Sequence, residues 1–183
     1  MQRWLVWCLA LLGAACRQSA TTPPAARTPV LSADQVLYDV AHVITVDGVR
    51  RALVRGDSAY VEDEGRQLRL FRVRLEFYDS VGRANGRLEA HLADYNVPTG
   101  LMHAQGAVVL RMPGPRGART LRSEELYYDP RRGELWTDRP FVWTDGPSTV
   151  TGVRFRSDVR FENVTVERAR TRGGLPGGAT IRF

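Results

Sequence analysis

The sequence predicts an all-β protein, a sandwich, barrel or roll of antiparallel strands, and three observations predict it. Apolar residues recur with period two along most of the chain. Turn-forming residues fall between these runs at short intervals. No stretch between residues 35 and 168 carries the 3.6-residue periodicity of an amphipathic helix.

The N-terminus stands apart. Met1-Gln2-Arg3 gives a positive start, residues 4–15 form an apolar run, and Gly13-Ala14-Ala15 precedes Cys16. Twelve apolar residues are too few to span a bilayer, which takes roughly 20. The run has the anatomy of a secretory signal peptide over residues 1–15. Small residues directly before a cysteine resemble a bacterial lipobox, with Cys16 as the lipid-attachment site, although Gly13 stands where leucine is usual. Residues 16–33 are then the lipidated cysteine and a tether of Ser, Thr, Ala and Pro with few large apolar groups, extended rather than folded. The two cysteines, Cys8 and Cys16, both fall in this segment, so no disulfide framework is expected.

Residues 34–168 are the expected β domain. Phe71, Val73, Leu75 and Phe77 alternate with Arg72, Arg74 and Glu76, and Leu88, Ala90 and Leu92 alternate with Glu89 and His91. Val153, Phe155, Val159 and Phe161 continue the apolar face among Arg154, Arg156, Asp158 and Arg160. One apolar and one charged face is the pattern of half-buried antiparallel strands. Asp47-Gly48, Asp63-Glu64-Gly65, Val81-Gly82, Asn85-Gly86, Pro98-Thr99-Gly100, Pro113-Gly114-Pro115, Arg132-Gly133 and Asp145-Gly146-Pro147 mark turns. A β-bulge flips this parity, and Leu70-Phe71 is a candidate position for one.

A hairpin unit also repeats. Leu88, Tyr95, Gly100 and Val109 recur at Leu121, Tyr128, Gly133 and Val142, an offset of 33 each time. Tyr60, Gly65 and Val73 stand 35 residues before Tyr95, Gly100 and Val108, and Phe161 stands 33 after Tyr128. Such self-similarity suggests stacked or rolled hairpins. Residues 169–183 are rich in Gly and Arg and read as a loose tail, with residues 179–183 able to form one terminal strand.

Little here looks catalytic. Gly56-Asp57-Ser58 matches the start of a hydrolase motif, but that chemistry needs an α/β scaffold and an Asp-His pair. Arg55-Gly56-Asp57-Ser58 is an adhesion tetrapeptide, yet it runs directly into a strand. His42, His91 and His103 lack metal-ligand spacing, so neither a metal nor a cofactor is expected. Glu62-Asp63-Glu64, Asp129 and Asp145 are turn residues, where acids are favoured. The net charge is +6 and all 26 basic residues are arginine. A secretory signal and arginines interleaved with acids argue against nucleic acid. The arginines read as the solvent face of a sheet, with anionic lipid headgroups the sharper alternative.

Four stretches in order resemble one family. Residues 48–60 contain Gly48, Arg51, Ala52, Asp57 and Ala59. Residues 73–82 end in Tyr78-Asp79-Ser80-Val81-Gly82. Residues 121–129 read LRSEELYYD, and residues 150–158 run from Val150-Thr151-Gly152 to Ser157-Asp158. Together they are similar to the LptC family, the periplasmic bridge component of lipopolysaccharide export. The resemblance implies an open antiparallel β-jellyroll, two twisted sheets forming a V-shaped trough, and no enzymatic activity. It implies a bridge subunit that accepts lipopolysaccharide from an inner-membrane ABC transporter and passes it toward the outer membrane. The implied partners are transporter membrane subunits with periplasmic jellyrolls and a soluble periplasmic jellyroll protein, met through edge strands. Family members often keep an N-terminal membrane helix. Here Cys16 stands in its place, implying a lipid anchor on the periplasmic side of the envelope, at the inner rather than the outer membrane.

A trough for acyl chains needs an apolar wall, since each buried methylene contributes about 0.8 kcal/mol. The alternating positions Phe71, Val73, Leu75, Phe77, Leu88, Leu92, Val108, Leu110, Leu126, Tyr128, Phe141, Trp143, Val153, Phe155, Val159 and Phe161 supply that wall. The same alternation also builds a closed, packed core. A protein-binding β-rich lipoprotein scaffold without lipid is therefore the competing expectation.

Overall fold

The computed structural model describes residues 33–115, 117–173 and 179–182; the signal-like run, Cys16 and nearly all of the tether lie outside the described residues. Six long strands come first: β1 (Gln35–Val46), β2 (Val49–Glu62), β3 (Gln67–Tyr78), β4 (Ala84–Asn96), β5 (Met102–Gly114) and β6 (Gly117–Asp129). They pair in sequence order as an antiparallel meander. Seven short strands follow: β7 (Glu134–Thr137), β8 (Phe141–Asp145), β9 (Ser148–Gly152), β10 (Arg154–Asp158), β11 (Val164–Glu167), β12 (Arg170–Arg172) and β13 (Ala179–Arg182). Every described pairing is antiparallel except β11 with β13.

The sheet forks at β6. Residues 119–123 of β6 pair with β8, which leads to β9 and β12. Residues 127–129 pair with β7, which leads to β10, β11 and β13. The two branches are two layers, and the long strands contribute one half to each. Contacts across the fold require this. Phe77 on β3 and Tyr128 on β6 are three strands apart, about 14 Å in a flat sheet, yet their ring centroids lie 5.0 Å apart. We call the branch holding β8, β9 and β12 the first layer and the branch holding β7, β10, β11 and β13 the second.

The bend follows a row of irregularities, one in each long strand. Asp39 (φ 51°), Arg72 (φ 51°), Gly106 (φ 75°) and Ala107 (φ 50°) adopt left-handed backbone conformations. In β4 and β6 the apolar parity slips by one, from Ala90 to Ala93 and from Leu121 to Leu126. In β2 it slips between Gly56 and Ala59. Bulges sharpen local twist and re-aim a strand, so a row of them folds one sheet over its own core. The 33-residue repeat places these breaks in step. The slip at His91 matches that at Glu124, and the bulge at Gly106-Ala107 matches Arg139-Pro140, where the equivalent of β5 is cut into β7 and β8.

Asn85-Gly86 is not a turn: both residues lie in β4, and the turn is formed by residues 79–83, where Asp79 accepts bonds from the Val81 and Arg83 amides. Gly86 holds φ at 143°, a backbone conformation that L side chains rarely adopt, and a Cβ there would meet the Met112 side chain and the Arg111 carbonyl, so glycine serves this backbone and the close strand approach rather than a reversal.

Candidate functional site

The candidate site is the space between the layers, its mouth and the sheet's free edges. Of the sixteen wall positions, Val73, Leu75, Phe77, Leu88, Val108, Leu110, Leu126, Tyr128, Phe141, Trp143, Phe155 and Phe161 face inward, each 3% exposed or less. Phe71 and Leu92 do not. They stand opposite each other on the outer face of the second layer, Phe71 packed edge-on against Tyr60 at 5.0 Å. Leu70 and Ala93 take their places inside. The cause is the bulge at Arg72 and the slip at His91, which reverse parity between the two halves of each strand. Val153 lies in the crossing from β9 to β10 and is 37% exposed. Val159 packs half-buried against the core from the β10–β11 turn. Strict alternation missed Tyr95, Met102, Met112, Leu121, Val150 and Val166, all inside.

The interior is filled by these side chains. Phe155 lies 5.4 Å from Phe141, 6.0 Å from Trp143 and 5.6 Å from Phe161, centroid to centroid. Such edge-on and tilted pairs add to the stabilisation from burial alone. Next to this cluster Arg119 spans the layers. Its Nε donates to Asp145 Oδ2 at 3.2 Å and its Nη1 donates to the Phe161 carbonyl at 3.1 Å. At the opposite end His42 Nε2 and the Tyr95 hydroxyl join the layers at 3.0 Å.

The mouth opens opposite the bend. A cleft of about 220 Å³ is lined by Val46, Arg51, Phe77, Tyr128, Arg131 and Arg132. It continues into one of about 240 Å³ bordered by Ile44, Tyr95 and Gly100, the two sharing Val46, Pro130 and Arg131. Apolar residues below and arginines at the rim suit an amphiphile with anionic groups: guanidinium forks match phosphate oxygens. Burial raises the Tyr128 hydroxyl pKa well above its ordinary value, with Arg51 opposing, so this ring stays neutral, and the three arginines of the lining outnumber its one acid, Asp47. Both clefts are smaller than the roughly 300–1,000 Å³ of small-molecule sites. A multi-chain lipid therefore requires the layers to part about the row of bulges. Among the described residues no group of three or more His, Cys, Asp or Glu is placed to hold a metal.

His42 gives the mouth a pH dependence. Burial lowers its pKa below 6.5, so folding favours the neutral ring. The associated stability is complete above about pH 6.5 and is lost as pH falls through 6.5 toward the folded-state value. The thermal midpoint is expected to drop between about pH 7.5 and 5.5, and His42→Gln to flatten that slope. An unchanged slope in the variant would assign the effect elsewhere.

Among the described residues β1 pairs only with β2, and β12 and β13 each have a single partner. Tyr38, 77% exposed, and Val43, 48% exposed, sit on β1. A free strand offers main-chain donors and acceptors to another sheet.

Comparison with curated protein sequences returns no match. Among solved structures the fold resembles LptH from Pseudomonas aeruginosa, described as the LptA-homologous periplasmic component of the conserved lipopolysaccharide transport device. The TM-score is 0.55 at 12% identity, over 68% of this chain and 95% of that one. That likeness concerns the open β-jellyroll itself. A family model described as lipopolysaccharide-assembly, LptC-related, matches residues 4–172. The filled two-layer roll, its free edges and this match over nearly the whole chain place the protein in the LptC-related family of lipopolysaccharide assembly.

Proposed function

We propose that the protein is a non-enzymatic, lipopolysaccharide-binding bridge subunit that accepts lipopolysaccharide from an inner-membrane ABC transporter and passes it along a periplasmic jellyroll bridge. The observation that carries this reading is the continuous apolar interior running behind a mouth rimmed by Arg51, Arg131 and Arg132. Acyl chains enter between the layers, replacing side-chain contacts with lipid contacts of similar energy. The arginines meet the headgroup phosphates. Similar hairpins in succession give similar local energies, so the cargo meets no deep trap. The free edges of β1, β12 and β13 extend the sheet into the transporter's jellyrolls at one end and a soluble jellyroll protein at the other. Cys16 carries the lipid that holds the tether to the inner membrane.

The test is photo-crosslinking in cells, with the probe at Tyr128 on the inner face or at Tyr127 on the outer face. Lipopolysaccharide adducts are expected at Tyr128 alone. The filled interior, with Leu75, Trp143 and Phe155 at 0% exposure, favours a second reading, a scaffold that binds only protein. Folded protein without lipid adducts at either position would select it.

A further inference from the structure

The outer faces of the two layers differ in charge organisation. On the first layer, one transverse row of mutually paired residues crosses nine strands: Ala41, Arg55, Arg74, Glu89, Val109, Arg122, Val142, Thr151 and Arg170. A second row runs beside it: Val43, Leu53, Glu76, Arg87, Arg111, Thr120, Thr144, Thr149 and Arg172. These rows hold seven arginines against two glutamates. Among the described residues only Arg111 of the seven makes an ion pair, with Glu89. Arg55 stands directly opposite Arg74, and Arg87 directly opposite Arg111, while on the other side Arg74 faces Glu89 and Arg87 faces Glu76. Like charges in directly opposed positions are destabilising.

The second layer avoids this. Arg69 faces Asp94 at 2.8 Å, Arg156 pairs with Glu134 at 3.3 Å, and Arg154 bonds both Asp138 and Glu167 at 2.8 Å. Its outer face also carries a stacked ladder of His103, Tyr127 and Trp136. The second layer thus pairs these arginines with carboxylates, whereas the first keeps an excess of five positive charges in its two rows (seven arginines less two glutamates). A broad face with a surplus of one charge, and directly opposed like charges within it, points to an oppositely charged partner.

We propose that the outer face of the first layer is a docking surface for an anionic phospholipid bilayer. Nine strands at about 4.8 Å spacing make it about 40 Å wide, a breadth suited to a surface of many anions rather than to a single ligand. Exposed Val43 and Val142 lie within the rows and Val153 at their border, apolar groups that seat at a headgroup boundary. A groove of about 960 Å³ crosses the same face, floored by Val109, Pro140 and Val142 and flanked by Arg122, Arg168 and Arg170. An N-terminal anchor would also bring the domain to a membrane. On the proposed function that anchor is the lipid on Cys16; residues 17–33 follow it, and 17 residues at up to about 3.5 Å each reach about 60 Å, enough for this face to meet the bilayer. The arrangement is independent of which cargo the interior carries.

The test uses the full chain with a photo-crosslinking residue at Val142 on this face or at Thr165 on the opposite one. Vesicles are phosphatidylcholine alone or with about one-third phosphatidylglycerol. Lipid adducts at Val142 are expected to rise about tenfold with phosphatidylglycerol and to fall back in about 0.5 M salt, while Thr165 stays unlabelled. The combined variant Arg55→Glu, Arg122→Glu and Arg170→Glu, all exposed and unpaired with any described carboxylate, is expected to abolish the rise. Circular dichroism checks that it folds. Labelling that ignores phosphatidylglycerol, or that survives the charge reversal, overturns the proposal. So do adducts to a second copy of the chain in place of lipid, which would assign the face to a protein contact.

Discussion

Arg119→Ala is expected to destabilise the domain by about 3–5 kcal/mol, the range for breaking a buried pair from one side. The Arg119 side chain is 10% exposed and that of Asp145 is fully buried, so solvent screens their interaction little. The substitution removes the guanidinium from beside the carboxylate and also the bond to the Phe161 carbonyl that ties β6 to the opposite layer. For a domain of this size the thermal midpoint should fall by about 10 °C. A double variant, Arg119→Met with Asp145→Leu, should recover most of that loss, because well-packed apolar side chains commonly replace a buried ion pair at little cost. Urea unfolding of the three proteins decides it. A single-variant loss under about 1 kcal/mol would mean that Arg119 does not hold the layers together.

Phe155→Ala is expected to cost about 3–5 kcal/mol, whereas Phe71→Ala should cost clearly less. Both residues occupy apolar positions of alternating runs, and the sequence alone puts them on one face. Phe155 has no exposed surface and touches three other aromatic rings. Phe71 lies half-buried outside the second layer with Tyr60 as its ring partner. Its removal opens no interior cavity, so the cavity contribution is absent. Equal losses at the two positions would contradict the reversed parity at the Arg72 bulge. The same pair bears on the cargo reading, since only the residue on the inner wall is placed to meet an acyl chain.

Period-two alternation, turn residues and the 33-residue offset were enough to define an all-β roll of hairpins. Most wall positions followed from that pattern, because burying one face of a strand forces every second residue inward. The four ordered motifs then identified the LptC-related family, whose model matches residues 4–172. These are local properties: a strand's faces and a hairpin's turn depend on a few consecutive residues.

The tertiary structure decided what local pattern leaves open. The bulge near Leu70-Phe71 was a candidate in the sequence; of its companions, those at Asp57 and Ala107 are marked only by the preceding Gly56 and Gly106, and those at Asp39, His91 and Glu124 carry no signal of their own. Only the alignment of all six across neighbouring strands makes a bend. That bend sends Phe71 and Leu92 outside, brings Phe77 onto Tyr128, and gathers Arg51, Arg131 and Arg132 at one mouth. It also sorts the arginines. In sequence they look evenly interleaved with acids. Strand register places Arg69 against Asp94 in one layer and Arg55 against Arg74 in the other, and the difference between a neutralised and a cationic face arises there. The physical reason is range: side-chain parity is set within a strand, while charge pairing and the closure of the trough depend on residues brought together from distant parts of the chain.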